Sequence, residues 1–197
     1  MKRKLFNEFE VRATLNQCKT QFREVIKPQP KEVKSYTIPG LHSTNWYDDD
    51  TLRDIKMPYK VGDLLWVAET WASNIPGCGP QNGYSYRADH ITGNDGPTKI
   101  KWKPSVQMPQ SASRITLEVT GVRVERLQDI SEEDAIAEGI TELANREYSL
   151  NGGKFRANYA VGSFRQLWDS INAKSHPWQS NPWVWVIEFK KVENSQQ

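Results

Sequence analysis

The spacing of apolar residues changes period several times along the chain, and each change marks an element. Val11, Leu15 and Cys18 fall at i, i+4 and i+7, which predicts a short helix from about Asn7 to Gln17. From Thr20 to Ile26 the pattern alternates, with Thr20, Phe22, Glu24 and Ile26 on one face and Gln21, Arg23 and Val25 on the other. Lys19 falls at the junction between this helix and this strand. Lys27 to Lys60 is rich in proline, charge and turn residues and reads as a long ordered loop or insertion. Val61 to Trp71 opens with a turn and becomes a nearly continuous apolar strand, suited to a wall covered on both sides; Leu65, Val67, Glu69 and Trp71 share one of its faces.

Ser73 to Lys103 contains Pro76-Gly77, Gly79-Pro80, Asn82-Gly83 and Gly96-Pro97, with a short strand expected at Tyr84 to Arg87; this stretch is placed to act as a lid. Arg114 to Leu127 is the clearest strand, and its phase slips by one at Thr120-Gly121, which predicts a β-bulge. Ser131-Glu-Glu-Asp134 starts a helix that Gly139 stops. Phe164, Leu167, Trp168 and Ile171 predict an amphipathic helix, and Trp183 to Phe189 a final core strand. The elements do not alternate strictly as in a doubly wound sheet. They predict a single α+β domain over residues 1–197, a mixed β-barrel with two or three short helices and loop insertions at about 27–60 and 73–103.

Composition narrows the function. Hydrophobic residues at 37% and charged residues at 25% describe a chain able to bury a core. A net charge of only +2 lacks the footprint of a duplex-DNA binder, so nucleic acid would have to be held at a local site. Cys18 and Cys78 are too few for a disulfide framework, and with His42, His90 and His176 they form no zinc set. Met1-Lys-Arg-Lys opens like a signal peptide, but Asn7-Glu-Phe-Glu follows where an apolar region belongs, and no run approaches the ~20 residues of a membrane span. The expectation is a cytoplasmic protein. The sequence has no phosphate loop, no serine nucleophile elbow and no histidine metal motif, so no metal and no cofactor are expected.

Three places carry candidate chemistry. Glu138 lies in the last turn of its helix, where the helix dipole disfavours a carboxylate; either solvent or a cationic partner offsets this. Lys19 and Arg23 bracket the first turn of a strand, as surface solubilisers or as ligand contacts. Glu69 shares an apolar face with Trp71, a pairing that can raise a carboxyl pKa or cradle a base, unless Glu69 lies at the wet end of its strand. Of eight tryptophans, Trp66, Trp168, Trp183 and Trp185 fall in periodic segments and read as core. Trp46, Trp71, Trp102 and Trp178 lie near polar loops, where a ring either stacks on a base or packs on loop backbone. Lys99-Ile-Lys-Trp-Lys103 interleaves three lysines with Trp102, the pattern of a modest backbone-contacting patch.

Five blocks in order resemble phage and prophage ASCH-domain proteins. They are Leu15 to Gln21 followed by Lys27-Pro-Gln-Pro30; Tyr59 to Trp71; Trp102 to Pro109 with Ala112 to Ile115; Gln128 to Gly139; and Asn181 to Phe189. The resemblance implies a PUA-like barrel whose cleft binds RNA, a nucleotide or a modified nucleobase, in the cytoplasm of a bacterial host. One branch of that superfamily deacylates N4-acetylcytidine with a lysine, a threonine and a glutamate. The lysine falls on Lys19 and the glutamate on Glu138, while Phe22 occupies the threonine's position. The family motif GxKxxExR carries Gln17, Phe22 and Glu24 in place of its glycine, second acid and arginine. On this resemblance Lys19, Arg23 and Arg114 are expected at phosphate or polar base edges and Trp71 beneath a base. Glu69 and Glu138 would accept base N–H groups, and Thr20, Trp102 and Ser113 would line the same cleft. The alternatives are metal-independent hydrolysis of an N4-acylcytidine or of RNA at Lys19 and Glu138, and an accessory protein acting through protein contacts.

Overall fold

The computed structural model describes residues 1–37, 44–73, 83–90, 100–143, 147–150 and 155–192. In chain order its strands and helices are β1 (Lys2–Leu5), α1 (Glu8–Leu15), β2 (Gln21–Val25), β3 (Val33–Thr37), β4 (Thr44–Asp48), β5 (Arg53–Asp54), β6 (Leu64–Ala68), β7 (Trp71–Ser73), β8 (Tyr84–Tyr86), β9 (Thr116–Arg126), α2 (Glu132–Ala137), β10 (Ile140–Glu142), β11 (Tyr148–Leu150), α3 (Ala160–Asn172) and β12 (Trp183–Val192). The fold is α+β, with more strand than helix. Its centre is a five-stranded sheet in the order β1-β6-β9-β12-β2, in which β1 and β6 run parallel and the other neighbours antiparallel.

The long strands form where the sequence alternates most strictly. On β12, Trp185, Ile187 and Phe189 enter one core with Phe22, Leu65, Val67, Leu117 and Val119. Val184 and Val186 enter a second core with Leu127, Phe164, Leu167 and Trp168 from the helical side. A strand buried on both faces reads as a continuous apolar run. The β-bulge falls where the phase slips: Glu188 pairs with Gly121 and Phe189 with Val119, leaving Thr120 as the extra residue.

Helix ends follow local chemistry. Asn7 caps α1 by accepting from the Phe9 and Glu10 N–H groups, and Glu10 returns the bond to the Asn7 N–H. The Ser131 hydroxyl caps α2 by accepting from the Asp134 N–H. Phe164, Leu167 and Trp168 are buried on α3, whereas Ile171 is exposed. No described helix is long and apolar enough to cross a membrane.

Three expectations are corrected. The stretch 27–60 is not simply a loop, because it holds the antiparallel sheet β3-β4-β5. The side chains of β3 from Val33 to Tyr36 are exposed or half-exposed, so no apolar alternation announced that strand. The apolar run to Trp71 is not one strand: after Ala68 the Glu69 N–H turns to the Met108 sulfur, and β7 leaves to pair with β8. The ladder of the central sheet is open, running from β1 to β2 without closing, and just before β2 the chain meets the end of α2 through a Lys19–Glu138 bridge. His42, Cys78, Lys99, Pro76-Gly77, Gly79-Pro80, Gly96-Pro97 and Asn82, and with them most of the expected lid, lie outside the described residues.

Candidate functional site

The approach of Lys19 to Glu138 is set by two chain reversals. After α1 the chain turns at Gln17, which adopts the left-handed φ of 60°. The Cys18 and Lys19 N–H groups then fold back onto the Ala13 carbonyl. At the end of α2, Glu138 is followed by Gly139 at φ 99°, where an added Cβ would lie 2.9 Å from that of Ala13 and 3.2 Å from that of Lys19. Only a glycine lets α2 approach the end of α1 this closely.

Lys19 is 2% exposed and Glu138 3%. The Lys19 ammonium donates to Glu138 Oε2 at 2.9 Å and to the Glu138 main-chain carbonyl at 3.0 Å. The cation therefore satisfies an end carbonyl of α2 and offsets the carboxylate at the negative pole of that helix. Glu10 Oε1 lies 3.7 Å from the same ammonium. Arg23 closes the group by donating through Nη1 to Glu138 Oε1 at 2.9 Å.

From Arg23 the network continues outward. Its Nη2 donates to Glu125 Oε1 at 2.5 Å and to Asp134 Oδ2 at 3.2 Å. Arg123 Nη2 binds both Asp134 oxygens at 2.8 Å, and its Nη1 donates to Glu188. Burial alone would raise the Asp134 carboxyl, but the Arg123 bonds and charge, with Arg23 behind them, outweigh it and hold the group below the usual carboxylate range.

Beside this network lies a cleft of about 250 Å³ whose lining includes Arg23, Glu138, Phe22, Phe164 and Trp168. Lys4 and Glu24 also line it and pair at 2.6 Å, with the Lys4 ammonium 3.7 Å from the centre of the Phe22 ring. The Tyr59 hydroxyl donates to Glu24 at 3.2 Å. Burial, reinforced by the Glu24 charge, pushes that phenol well above its ordinary value. The cleft thus offers aromatic walls and two cation–carboxylate pairs, one on β2 with α2 and one on β2 with β1.

Phe22 is spent on packing. It is 2% exposed and meets Phe6, Tyr59 and Phe189 at ring distances of 5.8–6.1 Å. Thr20 is exposed, and its main chain is committed to the Ala137 carbonyl and the Phe189 N–H.

The remaining candidates gather elsewhere. Arg114 binds Glu69 through Nε at 2.8 Å and Nη2 at 3.0 Å, and Asp89 through both terminal nitrogens at 2.9 Å. Burial pushes the Glu69 carboxyl up, and the Arg114 guanidinium offsets this only in part. Ser113 is spent on the Val67 and Ile115 carbonyls. Trp71 is 6% exposed, edge-on to Tyr84 and beneath the Lys103 ammonium at 4.5 Å, so a base has no free face of this ring to stack on. Trp102 packs against His90 and Arg87. None of Glu69, Trp71, Trp102, Ser113 and Arg114 lines the cleft beside Glu138, nor does Thr20, and Lys19 stands behind its wall, in contact with Glu138.

The sequence reading missed Lys4, Arg123, Glu125 and Asp134. Lys4 was hidden in what looked like a signal-peptide opening and is instead part of β1. Arg123 and Glu125 had a usable signal, an i, i+2 charge pair on the strand just past the bulge. Among the described residues no group of three or more histidine, cysteine, aspartate or glutamate side chains could hold a metal ion. No family model matches the chain, and neither does a curated protein or a solved structure.

Proposed function

We propose that the Lys19–Glu138 cleft binds a nucleobase or nucleoside, free or as part of RNA, in an ASCH-type domain of PUA-like descent serving a phage or prophage accessory role. The observation that carries this reading is the buried Glu138 carboxylate, held by Lys19 from behind and by Arg23 at 2.9 Å each, on the wall of a cleft lined by Phe22, Phe164 and Trp168. Buried charges are costly unless paired and hydrogen-bonded, and Lys19 and Glu138 are both. A cleft of about 250 Å³ falls just below the range of roughly 300–1,000 Å³ typical of drug-sized ligands, which suits one base with part of its sugar. The Lys4–Glu24 pair supplies a second acceptor and donor for the polar edge of a base. The left-handed Gln17 supports the alignment, since it stands where the motif carries glycine.

Calorimetric titration with cytidine, N4-acetylcytidine and short single-stranded RNA tests this reading. Binding should weaken at least tenfold in Glu138→Gln and in Lys19→Met; affinity unchanged in both would overturn it.

The direct Lys19–Glu138 contact also favours a second reading, amide hydrolysis. Water, relieved of a proton by Glu138, adds to the acyl carbon of an N4-acylcytidine while the Lys19 charge behind Glu138 stabilises the oxyanion. The acyl C–N4 bond then breaks, N4 takes the proton from Glu138, and cytidine and the carboxylic acid leave, the acid losing its own proton to solvent. Release of acetate from N4-acetylcytidine, lost in Glu138→Gln, is the expected result of this chemistry, and binding without release leaves the first reading alone standing.

A further inference from the structure

A larger cavity, of about 490 Å³, opens where Ile26 and the segment Lys27–Pro30 face β4, β5 and the residues after them. It shares no lining residue with the Lys19–Glu138 cleft. Its apolar surface comes from Ile26, Pro28, Ile55 and Trp185. Trp185 is held edge-on against Trp46 at 5.2 Å, so this wall is rigid.

The charged groups at the cavity are of both signs. Lys27, Arg53 and Lys56 line it as exposed cations, outnumbering the exposed carboxylate of Asp54, and among the described residues none of the three cations has an ion-pair partner. Asp48 lines it as a carboxylate used on one side only. Its Oδ2 accepts from the Thr51 hydroxyl at 2.8 Å, while Oδ1 is buried with no hydrogen-bond partner among the described residues. Buried polar atoms are nearly always satisfied, so an orphan acceptor in a cavity wall marks a place for a donor.

We infer that this cavity is a second ligand site, built for a nucleoside monophosphate. The chemistry asks for three things at once: a flat apolar body against Pro28, Ile55 and Trp185, an N–H edge for Asp48, and an anionic group for Arg53 and its neighbouring lysines. The base edge of guanosine monophosphate offers an N–H donor for Asp48 Oδ1, the one acceptor left open, and its phosphate supplies the anion. The volume is within the roughly 300–1,000 Å³ range of small-ligand sites. Phosphate recognition by an unpaired arginine is bidentate and charge-assisted, which places most of the selectivity over the bare nucleoside on Arg53. The case for this site does not depend on what the Lys19–Glu138 cleft binds.

The test is calorimetric titration of the full chain with GMP, guanosine and inorganic phosphate. GMP should bind at least tenfold more tightly than guanosine or phosphate. Arg53→Gln and Asp48→Asn should each weaken GMP at least tenfold, with the thermal midpoint of Arg53→Gln close to that of the parent because Arg53 is exposed and has no ion-pair partner among the described residues. Lys19→Met should leave GMP affinity within twofold, which separates this site from the other cleft. The inference fails if GMP does not bind, if phosphate alone binds as tightly, or if GMP affinity follows Lys19 rather than Arg53 and Asp48.

Discussion

Phe22 and Asp134 show how single residues decide what the cleft can do. Three aromatic rings close around Phe22. Placing a hydroxyl there with Phe22→Thr would therefore open a hole in the core. The expected cost is about 3–5 kcal/mol, by analogy with large-to-small aromatic substitutions, measured by urea denaturation, with no gain in acetate release. Asp134 supports Arg23 from behind, and its pKa is lowered in the folded chain. A carboxyl depressed by folding adds stability that is complete above its unfolded pKa near 3.9 and is lost as pH falls toward the lower folded value. Thermal midpoints between pH 5 and pH 2 should therefore fall less steeply in Asp134→Asn than in the parent, and identical slopes would remove Asp134 from this role.

At the scale of elements, the two turns that bring α1 and α2 together have opposite prospects. Gln17 is a non-glycine residue in a left-handed conformation, so Gln17→Gly should stabilise the chain by about 1 kcal/mol. Gly139 already has the residue its φ of 99° demands, and Gly139→Ala adds a clash with Ala13 to the backbone strain. It should cost on the order of 1–2 kcal/mol or more, and guanidinium unfolding of the two variants should displace the midpoint in opposite directions. Elements with long, strict periods were legible in the sequence: α3, β9 with its bulge, and β12. The sheet β3-β4-β5 was not, because an exposed strand carries charge where alternation would show. The split between β6 and β7 was hidden for a different reason, since a run buried from Leu65 to Glu69 gives no sign of where its partners change.

For the whole molecule, the candidate residues divide by layer. The turn after α1 with β2, and α2 with β9, supply Lys19, Arg23, Glu138, Asp134 and Glu125 to one network, and the sequence resemblance had already paired Lys19 with Glu138. The same resemblance assigns Glu69, Arg114 and Trp71 to one cleft with them. The structure places them in a separate cluster around Tyr86 and Met108. Membership of one face of a strand is readable from spacing, whereas which layer that face meets depends on the order of strands in the sheet, and that order is non-local.

The Lys19–Glu138 contact joins residues 119 positions apart in the chain. An unfolded chain cannot hold such a pair together without closing a very long loop, so the cleft exists only in molecules that have folded. Any compound that occupies it must then shift the folding equilibrium, by about 2.7 kcal/mol when present at a hundred times its dissociation constant. A melting-temperature screen of bases, nucleosides and their modified forms can thus sort ligands before any reaction is known, and a compound that protects the parent but not Lys19→Met is bound at this pair.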